Sequence, residues 1–523
     1  MWWTRALVAV GLAVVLGVPF LVRRAEVADE GSAAGARTLI VVTPHVEQIR
    51  SEFSWAFDRW HRRTYGEPAA IDWRAVGGTS EILLQLQAQY TAAASAGLIT
   101  VDAEGRASAA PGTIGFDVMM GGGTYEHGRL KRGVSVRIGD RDVRFSMSAP
   151  AGFPQERLDE WYGENRIGNQ PLYDPEQHWL GTALSGFGIV YNRDVLKELG
   201  LEEPEQFRDL TDGRYAGMLA LADPRQSGSV TTTYESILNK EGWEEGWRIL
   251  RELCANARYF ATSSVRPPVD VSQGDAAAGL AIDFYGRGQA QAVQRPGQSP
   301  EECRVGYVDP KGAVYIDADP ASILLGGPDP ELARRFLEFC LTEEAQALWQ
   351  MRATETEAGK NNPRLPTGEV MGPRRYELRR MPVRRVMYDK YGGYFVDQAS
   401  PFEAAAELPQ RGWRDSIAVM MGAFGIDTSE ELREAWRVLR AARADPSFPP
   451  DVLAEMERAF YAMPPHELRD GRVVVFSEET FGAISEDTKR WRDPERAGRA
   501  RIRYTEFFRG QYRRVVELGR GRG

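Results

Sequence analysis

Thr38-Leu39-Ile40-Val41-Val42-Thr43, broken by Pro44-His45, is a short continuous apolar run of the kind a buried parallel strand needs. Ile49, Phe53, Phe57 and Trp60 follow at helical spacing, so strand, loop and amphipathic helix come in that order. The plan repeats at once. Ala70 to Val76 reads as a strand, Gly77-Gly78-Thr79-Ser80 as a turn, and Ile82 to Tyr90 as a helix. A third strand, Phe116-Asp117-Val118-Met119-Met120, ends at Gly121-Gly122-Gly123; the Ala-, Gly- and Ser-rich stretch from Thr91 to Gly115 reads as a surface insertion. Strands alternating with helices predict a mostly parallel sheet with helices on both faces. Ligands of such sheets bind outside the carboxyl ends of the strands, so the three loops converge on one rim.

The same grammar continues through the middle of the chain. Gly186 to Asn192 and Met218 to Ala222 read as strands, the second closed by Asp223-Pro224-Arg225-Gln226-Ser227-Gly228-Ser229 and a helix from about Val230 to Asn239. Ala277 to Phe284 is another buried strand, with Tyr285-Gly286-Arg287 at its end. Ser322-Ile323-Leu324-Leu325 precedes a strongly amphipathic helix, Glu331 to Leu341. From about Arg374 the pattern becomes helical and heavily charged. Helices are expected after Thr428-Ser429 and Pro450-Asp451 and from about Ile502 to Leu518, packed on what precedes them.

Ala6 to Val22 is an uncharged apolar run, followed by Arg23-Arg24. As a helix it spans roughly 25 Å, slightly short of a bilayer core. It reads as a signal peptide or an uncleaved anchor. No small-residue cleavage site follows closely, which favours the anchor, and either reading puts the bulk of the chain outside the cytoplasm. A net charge of −9 offers no basic excess for nucleic acid. The three cysteines, Cys254, Cys303 and Cys340, form no CxxC pair, which disfavours zinc. A Cys254–Cys303 bridge and three buried thiols both fit the sequence. The five histidines fall in no HExxH and beside no serine elbow, so neither an enzyme nor a cofactor is implied.

Six collinear stretches carry a resemblance: Thr43-Pro44-His45; Asp117 to Gly123; Ala183 to Asn192; Asp223-Pro224 with Ser227-Gly228-Ser229; Gln273-Gly274-Asp275 to Tyr285; and Ala333 to Gln350. In this order the chain resembles the extracellular solute-binding proteins of ATP-driven importers, with the type 2 periplasmic binding fold of ferric-ion-binding proteins. The resemblance implies an α/β, two-lobed fold with a C-terminal helical extension. Residues 1–24 would be the targeting segment and 25–37 a linker. Residues 38–184 and 305–350 would form the first lobe, 185–304 the second, and 351–523 the extension. It further implies a periplasmic protein that delivers a small ligand to an ABC permease. A membrane-tethered sensor lobe is the alternative of another class.

Two ligand chemistries remain. The resemblance implies iron held by adjacent tyrosines with a histidine near the first strand. Here Tyr285 matches the first tyrosine, Gly286 replaces the second, and His45 falls near the histidine, so a ferric set would be Tyr285 and His45. Gly77-Gly78-Thr79-Ser80 and Ser227-Gly228-Ser229 each stand just before a helix, where backbone N–H groups bind anions. A sugar phosphate or phosphonate is the preferred ligand. Its expected contacts are Thr43, Pro44, His45, Gly78, Thr79, Ser80, Gly122, Gly123, Ser227, Gly228, Ser229 and Tyr285, with Arg225 and Arg287 available for charge pairing.

Overall fold

The computed structural model describes residues 35–521 except 103–104, 139–140, 296–297, 299–301 and 399. The apolar run Ala6 to Val22 lies outside the described residues. Among those described, no helix is long and apolar enough to cross a membrane.

One long twisted sheet runs through both lobes in the strand order Ala257–Ala261, Leu219–Ala222, Ala278–Ile282, Leu180–Asn192, Ile316–Leu324, Val118–Met120, Arg37–Val42, Ala69–Arg74. Each end is parallel. Arg37–Val42 pairs in parallel with Ala69–Arg74 and with Val118–Met120, and Leu219–Ala222 does so with both of its neighbours. The two middle strands are antiparallel crossovers. Leu180–Asn192 is buried along its whole length. Its first half pairs with Ile316–Ala321 and its second half with Ala278–Ile282, so the chain passes between lobes near Ser185–Phe187. Val305–Val308 pairs with Ile189–Asn192. The return crossing therefore falls in Ile316–Leu324, not at residue 305 as the sequence reading had it.

Helices cover the sheet where the apolar spacing predicts them. Ile49, Phe53, Phe57 and Trp60 are buried on the helix Glu47–Tyr65, and Phe53 and Phe57 pack on Phe339 of the helix Pro330–Cys340. The helix Thr79–Ser95 runs longer than expected because Thr91-Ala92-Ala93-Ala94 continues it; alanine is the best helix former. The rest of the expected insertion includes a small hairpin, Ile99–Val101 with Ala107–Ala109. Asp283 ends the strand Ala278–Ile282 and opens the helix Asp283–Val293, so Tyr285 stands in a helix's first turn rather than at a strand end.

The C-terminal extension has two parts. Residues 351–412 are mostly irregular, where the sequence reading expected helix from Arg374. They begin against the first lobe, where the buried Glu52 carboxylate accepts the backbone N–H groups of Arg374, Arg375 and Tyr376 at 2.5–2.9 Å. From Arg414 onward the chain is mainly helical and packs on the second lobe. Trp436 donates its indole N–H to Asn256 at 2.8 Å. Arg251 is buried between the rings of Phe424 and Phe508 and donates to the carbonyls of Phe460 and Ala462. Those carbonyls close the helix Pro450–Tyr461, where acceptors have no intrahelical partner and a cation is favoured. All three cysteines are buried and free.

Candidate functional site

A cavity of about 370 Å³ lies between the lobes, at the carboxyl ends of the parallel strands. Pro44, His45, Gly78, Thr79, Gly122, Ser227 and Tyr285 all line it, drawn from loops and helix starts up to 241 residues apart in the chain.

The local geometry explains these residue types. Gly77 has φ +145°, and a Cβ there would lie 1.9 Å from the Glu81 carboxylate. That carboxylate turns back to accept the Gly78 N–H at 3.0 Å and so fixes the start of the helix Thr79–Ser95. Across the cleft the Ser227 hydroxyl accepts from Val230 N at 3.4 Å and caps the helix Gly228–Glu241. The two helix starts meet: a Cβ on Gly228 would lie 3.5 Å from Thr79 Oγ1, and one on Gly78 3.9 Å from Gln226 O. The lobes are thus closed on each other, with the positive ends of two helix dipoles side by side at the cavity.

The floor is polar. Asp317 and Asp319 sit two residues apart on a crossover strand, so both face the cavity. Asp317 accepts Thr124 N at 3.1 Å and Thr124 Oγ1 at 2.9 Å. Burial pushes its pKa up to about 7 against those bonds, so near neutrality it is partly protonated. Asp319 is paired with Arg380, which is 1% exposed and comes from the extension. Burial acts to raise the Asp319 carboxyl, but the guanidinium outweighs it and holds the group below the usual range. Arg380 also donates to Ser185 Oγ at 2.6 Å and approaches His45 Nε2 at 2.8 Å. Burial lowers the pKa of His45, which leaves a neutral imidazole whose Nε2 accepts from the arginine. The Arg380 guanidinium lies over the Phe284 ring, 4.1 Å from its centroid. Tyr285 packs on Phe284, and burial pushes its phenol up to about 12, so it stays protonated.

The other expected contacts are placed elsewhere. Thr43 is fully buried beneath the site, where its hydroxyl accepts the His45 N–H at 3.1 Å. Ser80 and Gly228 line a second cavity, because successive helical residues turn to different faces. Gly123 caps the helix Thr124–Arg132 and packs against Asp317 and Glu126. The Ser229 side chain lies outside the described residues. Arg225 is spent on Asp223 and Asp427, and Arg287 on Asp309 and Asp397, so neither serves the cavity. Among the described residues, no group of three or more His, Cys, Asp or Glu is placed to hold a metal ion.

Sequence reasoning missed Ser185, Asp317, Asp319, Arg380 and the hydroxyl run Thr262-Ser263-Ser264. Two acids alternating in the apolar strand Ile316–Leu324 were a readable signal; Arg380 had none.

Residues 155–369 match the model of a family described as bacterial extracellular solute-binding protein. An uncharacterized protein of Haemophilus influenzae is 26% identical over 210 residues, 40% of this chain and 56% of that protein. The phosphoglycerate transport regulatory protein PgtC of Salmonella typhimurium is 30% identical over 106 residues, 20% of this chain and 27% of PgtC. The matches thus span about half the length of the first relative and about a quarter of the second. Similar solved structures include the periplasmic binding protein AfuA from Actinobacillus pleuropneumoniae with exogenous fructose-6-phosphate bound, at 16% identity and TM-score 0.42, covering 60% of this chain and 82% of AfuA. A ferric binding protein from Campylobacter jejuni is similar at 12% identity and TM-score 0.45, covering 71% of this chain and 93% of that one.

Proposed function

We propose that this chain, a bacterial extracellular solute-binding protein in its matched core, captures a small phosphorylated organic anion between its lobes and presents it to the permease of an ATP-driven importer. The bulk of the chain then works in the periplasm. The N-terminal segment serves as an export signal or an inner-membrane anchor.

The observation that carries the ligand class is the pair of helix starts, at Gly78–Thr79 and at the Ser227 cap, meeting at one cavity. Such ends hold phosphate through dipole charge and backbone N–H groups, here those that the Glu81 and Ser227 caps leave over. The remaining lining suits a hydroxylated carbon skeleton. Asp317 and Asp319 accept from hydroxyls, Thr262 to Ser264 offer more, and Phe187, Phe284 and Tyr285 supply apolar faces. The 106-residue similarity to a phosphoglycerate transport regulatory protein supports the same class. Bare ferric ion is disfavoured. It needs the His45 Nε2 lone pair, which already faces the Arg380 cation, and it must displace the proton of a buried phenol.

Calorimetric titration of the purified chain with phosphoglycerate, hexose phosphates, a phosphonate and ferric ion tests the reading. A phosphorylated ligand binds with micromolar or better affinity, and Thr79→Ala weakens it about fivefold, roughly 1 kcal/mol for one hydrogen bond. Tyr285→Phe matters less. Tight iron binding that is lost with Tyr285→Phe and indifferent to Thr79→Ala overturns it. PgtC is named as regulatory, which favours one second reading, a ligand-sensing lobe. Deleting the gene separates the two: uptake is lost in the first case, and a ligand-dependent transcriptional response in the second.

A further inference from the structure

On the far side of the two helix starts lies a second cavity, of about 460 Å³. Its walls come from the helix Thr124–Arg132 of the first lobe, from Pro224, Gly228 and Thr231 of the second, and from the helix Arg414–Met421 and residues 490–492 of the extension. Six arginines line it: Arg129, Arg132, Arg144, Arg414, Arg490 and Arg492. Only two carboxylates do, Glu126 and Asp415. In a chain of net charge −9, this is a local reversal of sign.

Counting Glu235 beside Arg414, three carboxylates stand against the six arginines, so half of this charge is uncompensated. Arg414 is paired with Glu235 at 2.8 Å, and Arg490 lies 3.8 Å from Asp415. Glu126 is already held by the Gly123 N–H, and Asp415 accepts from the Tyr125 hydroxyl. Among the described residues, Arg129, Arg132 and Arg492 have no ion-pair partner. Partial burial lowers the pKa of Arg132, and the nearby charges of Arg492 and Arg129 lower it further. These three guanidiniums come from two different parts of the molecule and repel one another across the gap.

The backbone presents them at a cost. Lys489, Arg490 and Trp491 are three consecutive non-glycine residues in the left-handed region, with φ 49°, 54° and 62°. L side chains rarely adopt this conformation, because Cβ crowds the following carbonyl oxygen. The turn is fixed from Arg490 N to Ser485 O at 2.6 Å and from Trp491 N to Thr488 Oγ1 at 3.2 Å. It delivers Arg490, Trp491 and Arg492 to the cavity wall. The Trp491 ring packs on His466 and Tyr504 and anchors the turn.

We propose that this cavity is a second ligand site, which takes a small polyvalent oxyanion (a di- or triphosphate or a tricarboxylate) and thereby ties the first lobe to the extension. The anion supplies the negative charge that the arginines lack. The inference does not depend on which solute the interlobe cleft takes.

Tripolyphosphate is the probe, titrated calorimetrically into the purified full chain at low salt, with citrate in parallel to separate phosphate from carboxylate chemistry. At least one of the two binds, and its affinity falls with added salt. Arg132→Gln combined with Arg492→Gln weakens it at least tenfold, while Thr79→Ala in the cleft leaves it unchanged. Far-UV circular dichroism checks the fold of the double variant. If that variant does not fold, Arg129→Gln alone decides, with a loss of threefold or more. The proposal fails if neither anion binds at millimolar concentration or if the substitutions leave affinity within twofold. It also fails if Thr79→Ala weakens binding about as much as the arginine substitutions do, which assigns the anion to the cleft, or if only an acidic peptide binds.

Discussion

Replacing Arg380 with methionine removes the cation at the floor of the cleft while keeping most of the side-chain volume. In the parent, Arg380 pairs with Asp319, donates to Ser185 and approaches His45, all of them buried. The variant leaves Asp319 as a buried, unopposed carboxylate. Breaking a buried pair from one side costs about 3–5 kcal/mol, against a total stability on the order of 5–15 kcal/mol. The loss depends on pH. In the parent, the folded pKa of Asp319 is depressed, so its contribution is present above the unfolded value near 4 and is lost as pH falls through the folded one. In the variant, burial alone raises the folded pKa, so the group costs stability progressively as pH rises above about 4. The gap between parent and Arg380→Met is therefore already open at pH 4.5, where the parent's depressed carboxylate contributes, and widens toward pH 7.5 as the variant's buried carboxyl is forced to ionise. Urea unfolding followed by tryptophan fluorescence reads it. Adding Asp319→Leu to the variant restores most of the loss, because both partners are then gone. A deficit below about 1 kcal/mol at pH 7.5, or one equal at the two pH values, refutes the account.

Asp317 titrates in the same cleft with a raised pKa of about 7, so its contribution is complete below about pH 4 and is lost as pH rises through 7; Asp317→Asn flattens that part of a melting-temperature profile measured from pH 5 to 8. Arg251→Ala strips the carbonyls of Phe460 and Ala462 of their donor. It should cost about 1.5–3 kcal/mol, and limited proteolysis should release the extension while leaving the lobes intact. Gly77→Ala forces a side chain into the Glu81 carboxylate at a positive φ. A loss of about 1 kcal/mol or more is expected, together with weaker cleft binding; unchanged affinity shows that the Glu81 cap is not part of the ligand's seat.

The sheet was legible because its strands are continuous apolar runs and its helices keep their period. Leu39, Val41 and Val42 are buried as their spacing demands, and so are Ile49, Phe53 and Phe57. The loops that end those strands were legible for the same reason, which is why Pro44, His45, Gly78, Gly122 and Ser227 could be placed together. Which face of a helix start meets which cavity was not. Thr79 and Ser80 are neighbours in sequence, yet they line different cavities because one residue rotates by about 100°. Arg380 lay beyond reach altogether. Its segment has no periodicity, and its partners stand 61, 195 and 335 residues away. Nor does an arginine in a charged tract announce that it is buried.

Met381, next to Arg380, accepts the Leu184 N–H at 2.7 Å and so lays a third length of chain beside the two crossovers where they pass between lobes. Close by, Asp397 is gripped by Arg379, Arg287 and Gln350, which stand on the extension, the second lobe and the helix Glu343–Gln350. Separating the lobes must bend three backbones and shear this knot. These contacts oppose opening of the cleft. Under the proposed function, the protein then has less interlobe freedom to lose on capture, and more of the contact energy survives as affinity.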